Sequence, residues 1–117
     1  MDQQNLLLLA IGGFSVYLVL TRVLGKASVK TLSQKLTAGA TIVDVRSPGE
    51  FSSGHVRGAL NLPLDSLGSK MSKLGDKSRP VIVYCASGSR SSAARRMLKA
   101  AGFSDVSNAG AMHRMPV

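Results

Sequence analysis

The sequence predicts an α/β domain built on a parallel sheet and preceded by one transmembrane helix. From residue 28 onward, short β-branched runs alternate with helical patterns, as expected of strands joined by crossover helices. Before that, residues 6–24 form one long apolar run. The chain has 117 residues, which leaves one domain of about 90 after the run, enough to bury a core without staples.

The apolar run reads LLLLAIGGFSVYLVLTRVL. As a helix it rises about 28 Å, close to the hydrocarbon thickness of a bilayer. Arg22, near its end, can snorkel to the headgroups. A cleaved signal peptide would have a basic start, whereas this chain opens Met1-Asp2-Gln3-Gln4-Asn5, and 23–27 carries no small-x-small cleavage pattern. A buried core helix would not be apolar for so long. The expected organisation is a tail over 1–5, a transmembrane helix over 6–24, a linker over 25–27 and a folded domain over 28–117.

All fifteen Lys and Arg lie at or after Arg22, and the net charge is +9. The positive-inside rule then puts the C-terminal domain in the cytoplasm, as for a single-pass protein of a bacterial inner membrane. A basic surface also suits nucleic acid, but there is no binding motif and no aromatic–basic interleaving. The lipid bilayer, with an anionic face, is the expected partner. The lone Cys85 excludes a disulfide framework. Together with His55 and His113 it offers no metal-ligand spacing, so neither metal nor cofactor is expected.

Within the domain, Thr31-Leu32-Ser33-Gln34 matches a capping box opening a short helix with Leu32 and Leu36 toward the core. Thr41–Val45 is β-branched and reads as a buried strand, ended by a Pro48-Gly49 turn. Ala59–Leu62 reads as a second extended piece. Leu64, Leu67, Met71 and Leu74 recur at helical spacing. Pro80–Cys85 is apolar on both faces, as in a central parallel strand. Ser91–Ala101 follows as a helix with Met97 and Leu98 inward and Gly102 after its C-cap. Phe103–Ser107 reads as a last strand.

Cys85 ends the central strand, and ligand sites of open α/β sheets lie beyond the carboxyl ends of strands. Between strand and helix runs Ala86-Ser87-Gly88-Ser89-Arg90. Its small residues let backbone N–H groups turn inward as an anion-binding nest. The helix start adds a partial positive charge and Arg90 is expected to add a full one. A thiol so placed ionises well below its free value. The alternative is a structural cysteine buried at a strand end; the loop, the arginine and the helix favour the thiolate.

Three stretches together resemble the rhodanese-like domain: Asp44-Val45-Arg46-Ser47-Pro48-Gly49-Glu50-Phe51, then Gly54-His55-Val56-Arg57-Gly58-Ala59-Leu60-Asn61-Leu62-Pro63, then Val83-Tyr84-Cys85-Ala86-Ser87-Gly88-Ser89-Arg90-Ser91. Leu98–Phe103 and the Asn108-Ala109-Gly110 turn extend the likeness over 28–117. The resemblance implies a five-stranded parallel sheet flanked by helices. It implies a sulfurtransferase, with Cys85 as the sulfur-carrying nucleophile forming a persulfide and Ala86, Ser87, Gly88, Ser89 and Arg90 as the substrate-binding loop. The donor would be thiosulfate or a protein persulfide. With no second cysteine, the sulfur would leave to a thiol, cyanide or a partner protein. Asp44, Arg46, Glu50 and His55 map to positions that hold the loops near the site.

Phosphatases and arsenate reductases of similar fold resemble this loop but place the Arg six positions after the Cys; here Arg90 is five after Cys85. A ring this short fits a sulfur atom better than a tetrahedral oxyanion. A docking module without catalysis is the other alternative, and inactive relatives usually lose the Cys that this chain keeps. The sequence departs from the family pattern at Ala86, where a basic residue is common, at Gly110-Ala111, where a glycine pair is usual, and near Met115, in place of a Trp.

Overall fold

The structure is a computed structural model that describes residues 3–117, except for the side chains of residues 7 and 17–24. Helix α1 spans Gln3–Leu24 and α2 spans Val29–Thr37. Strand β1 (Thr41–Asp44), short helix α3 (Pro48–Ser52) and strand β2 (Leu60–Asn61) follow. Helix α4 (Leu67–Lys70) comes next, then β3 (Val81–Cys85), α5 (Ser89–Ala100) and β4 (Val106–Ala111). The strands form one parallel sheet in the order β2-β1-β3-β4, with β3 central.

Four strands are found among the described residues, against the expected five. The segment before α2 reaches the β4 edge with one backbone bond, Ala27 N–H to the Asn108 carbonyl at 2.8 Å. One bond makes no ladder, so this segment adds no fifth strand to the sheet.

The expected span over 6–24 is not supported either. Among the described residues no helix is long and apolar enough to cross a membrane. Residue 7 and residues 17–24 of that span fall on the side chains outside the description. Those that are described expose Leu6, Leu8, Leu9, Ile11, Phe14 and Val16.

Side chains alternate across the sheet and sort the core into two clusters. Val81, Val83 and Cys85 pack with Leu62, Leu67, Leu74, Leu98 and Phe103 on one face. Ile82 and Tyr84 pack with Leu32, Ile42, Val56, Ala109 and Met115 on the other. Met115, near the family's Trp position, is therefore core. Cys85 belongs to the face covered by α5, which follows it directly.

Several local expectations change. Helix α2 is capped by Ser28, whose side chain accepts from the Thr31 amide, so the cap lies three residues before Thr31. A capping box does occur, at Ser47 and Glu50, with Pro48 in the first turn; it converts the expected Pro48-Gly49 turn into α3. The stretch Leu64–Leu74 is broken into α4 between two 3₁₀ turns, Leu64–Ser66 and Met71–Leu74. It buries Leu67 and Leu74 all the same. Met97 is exposed, and Ala94 and Leu98 form the buried stripe of α5 instead. The last strand starts at Val106, three residues later than read. A register shift between Val83 and Tyr84 leaves Ala109 without a partner in the β3–β4 pairing. Such a bulge re-aims the end of a strand, here the Gly110 turn beside the Cys85 loop.

Candidate active site

The site is built on the end of β3. Cys85 is fully buried, and the chain beyond it doubles back so that α5 begins only four residues later, at Ser89. The reversal hinges on Gly88, which has φ +103°. A side chain there would meet the left-handed penalty.

The turned loop aims donors at the sulfur. The Gly88 amide donates to Cys85 Sγ at 3.0 Å and the Ser91 amide at 3.4 Å. Ser91 Oγ lies 3.4 Å from Sγ and accepts from the neutral thiol, while donating to the Gly88 carbonyl at 3.1 Å. Once the sulfur is ionised, the same hydroxyl can turn its proton to it. Burial pushes the Cys85 thiol up, but the Ser91 hydroxyl and the amides of Ser91, Gly88 and Ser87 together outweigh it and hold the thiol below its ordinary value. Ser91 was absent from the expected loop. It sits six positions after Cys85, one turn into α5, where only the helix phase brings it back to the sulfur.

Arg90 is paired with a carboxylate rather than free beside the sulfur. Its guanidinium makes a two-pronged bond to Glu50, Nη1 to Oε1 at 2.6 Å and Nη2 to Oε2 at 3.0 Å. The pair is about one-third exposed at each side chain. Arg90 and the amide of Ser47 pull the Glu50 carboxyl down to about 2. Glu50 is the main partner of the guanidinium, whose charge also acts on Cys85 more weakly.

The other family positions form a support behind the loop. Asp44 is fully buried and holds Arg46 through Nε and Nη2, the latter at 2.8 Å. Arg46 Nη2 also donates to the Gly54 carbonyl at 2.6 Å. Tyr84, next to Cys85, donates its hydroxyl to Asp44 at 2.8 Å and accepts from the Val56 amide at 3.0 Å. His55 stacks on Phe51 at 3.6 Å between ring centroids and bonds its carbonyl through Nδ1 at 2.8 Å. Its contacts are with the α3 segment and not with the sulfur. Ala86, Ser87 and Ser89 are exposed on the loop rim. Among the described residues, no group of His, Cys, Asp and Glu is placed to hold a metal ion.

Known proteins resemble this chain in sequence and in fold. The family model described as the rhodanese-like domain matches residues 28–109. The thiosulfate sulfurtransferase PspE of Escherichia coli is 37% identical over 71 residues, covering 60% of this chain and 68% of that protein. A solved rhodanese with anions from E. coli aligns with a TM-score of 0.64 at 32% identity, covering 68% of this chain and 94% of that one. The human single-domain sulfurtransferase TSTD1 aligns with a TM-score of 0.67 at 26% identity, over 76% and 92% of the two chains. The chain belongs to the rhodanese-like domain family, whose sulfurtransferase members it resembles in both sequence and fold.

Proposed function

We propose that this protein is a sulfurtransferase in which Cys85 carries sulfane sulfur as a persulfide. The observation that carries the reading is the convergence of the Gly88 and Ser91 amides and the Ser91 hydroxyl on Cys85 Sγ. Such preorganised donors stabilise a sulfur anion without reorganising when charge arrives.

With thiosulfate as donor, the Cys85 thiolate attacks the outer sulfur. The sulfur–sulfur bond of thiosulfate breaks, its electron pair leaves with sulfite, and Cys85–S–S⁻ remains. After this terminal sulfur takes a proton from solvent, an acceptor thiolate attacks it. The electron pair of the Cys85 sulfur–sulfur bond returns to Sγ, and the acceptor leaves as a persulfide. A protein persulfide as donor, and cyanide or a partner protein as acceptor, follow the same electron flow. The name of PspE supports thiosulfate as a donor.

The test is intact mass after thiosulfate treatment. The expected gain is one sulfur, about 32 Da, absent in Cys85→Ser. No gain with thiosulfate or with a small-molecule persulfide donor would overturn sulfur carriage and leave a docking module.

The membrane placement is part of the same proposal and rests on the apolar run 6–24 and on the exposed apolar side chains of α1. Basic residues confined to its C-terminal side support a cytoplasmic domain. Full-length protein is expected to stay with bacterial membranes after alkaline carbonate extraction; release into the supernatant would remove the anchor.

A further inference from the structure

A cavity of about 440 Å³ lies on the outer side of the Cys85 loop, between the linker and α5, and its charged lining is Lys26 and Arg96. The hydroxyls of Ser87, Ser89 and Ser92 line it too, and among the described residues no carboxylate does.

The linker is held in place to form this wall. Besides the tie from Ala27 to Asn108, Arg114 Nη2 donates to the Ala27 carbonyl at 2.7 Å. The Lys26 stem therefore lies across the two glycines that bring loop and β4 together. A Cβ on Gly88 would stand 3.2 Å from Lys26 Cε and 3.5 Å from Nζ, and one on Gly110 would stand 3.1 Å from Lys26 Cδ. Arg96 approaches from α5, its Nη1 donating to Ser92 Oγ at 3.2 Å.

Among the described residues the acids are committed elsewhere. Asp44 pairs with Arg46, Glu50 with Arg90 and Asp105 with Lys35. Asp76 accepts from Ser78, and Asp65 lines a different cavity. Two cations thus share one concavity without a counter-charge among the described residues, and like charges repel until an anion joins them.

We infer that this cavity is an oxyanion-binding site, with Lys26 and Arg96 holding a phosphate- or sulfonate-type group and the serine hydroxyls supplying further donors. Its volume lies in the range of small-molecule sites. The anion has two sources, a free ion or a lipid headgroup. Gly25, the first residue after α1, lines the same cavity, so a headgroup beside the end of α1 would reach it. The site does not use the Cys85 sulfur, although it shares Ser87, Gly88 and Ser89 with the loop around it.

The test titrates inorganic phosphate into full-length protein in nonionic micelles while amide spectra are recorded. Saturable shifts are expected at Lys26, Ser87–Ser89 and Ser92. Affinity should fall about tenfold or more in Lys26→Gln/Arg96→Gln, the worth of a charge-assisted hydrogen bond. Unchanged shifts elsewhere control for folding, with the two single variants as a second set. A parallel arm uses phosphatidylcholine bicelles with and without phosphatidylglycerol. A response of these amides to phosphate assigns a free anion, and one confined to phosphatidylglycerol assigns a headgroup. No response in either arm, or one the same in the double variant, overturns the site. Thiosulfate mass gain on the same samples separates the two proposals: gain without any anion response would sink this one alone.

Discussion

Arg90 and Glu50, forty positions apart in sequence, face each other as a guanidinium–carboxylate pair with both prongs bonded, at 2.6 and 3.0 Å. The pair joins the start of α5 to α3 and so braces the Cys85 loop from outside. It also directs most of the Arg90 charge to a carboxylate, so that the Ser91 hydroxyl and the loop amides are the main groups lowering the thiol.

From this follows a ranking of two variants. Ser91→Ala removes the hydroxyl beside Sγ and should slow alkylation of Cys85 by iodoacetamide near neutral pH by about fivefold, the worth of roughly one kcal/mol. Arg90→Ala should slow it less. Rates measured across pH check the order; a larger effect for Arg90→Ala would show that the guanidinium, and not the hydroxyl, sets the thiol.

The same ion pair makes an acid-side prediction. The Glu50 carboxyl is lowered from 4.5 to about 2 in the folded protein, by Arg90 first and the Ser47 amide second. A depressed carboxylate stabilises the fold above the unfolded value, and that contribution is lost as pH falls from about 4.5 through about 2. Glu50→Gln should therefore lose less stability than wild type across that window. Urea midpoints at a series of pH values measure it, and parallel acid limbs for the two proteins would remove the ion pair from the account.

Tyr84 gives a prediction at the opposite end of the scale. Burial first, and the nearby Asp44 carboxylate after it, push its hydroxyl up to about 12. A raised tyrosine contributes stability that is full below the unfolded value of 10.0 and is lost as pH rises through about 12. Tyr84→Phe should flatten that alkaline limb. At neutral pH it should cost about 1–3 kcal/mol, because the Val56 amide loses its acceptor and Asp44 a donor in a dry site. Denaturant melts of the two proteins measure both effects; a neutral-pH cost near zero would mean that water replaces the hydroxyl.

The strands and the cysteine loop were legible because their causes are local. Val81–Cys85 is apolar on both faces, and a segment of that kind is buried wherever it goes. Ala86–Ser89 is small, and a chain that reverses between strand and helix turns its amides inward. Leu64–Leu74 carried helical spacing, but the order of its turns depended on what packed against it. It folds as three short pieces around the buried Leu67 and Leu74.

By itself, the sequence determined the alternation of strand and helix, the position of Cys85 at the end of the central strand and the small residues after it, since these follow from propensity and periodicity within a few residues. It also contains the apolar run 6–24. Tertiary structure alone decided that Arg90 meets Glu50, that Tyr84 holds Asp44, and that Lys26 lies over Gly88 and lines one cavity with Arg96. Partners so far apart in sequence are chosen by which surfaces the sheet brings within hydrogen-bond reach, and no local pattern encodes that distance. Ser91 lies between the two cases: it is near Cys85 in sequence, but only the reversal at Gly88 and the first turn of α5 return its hydroxyl to the sulfur.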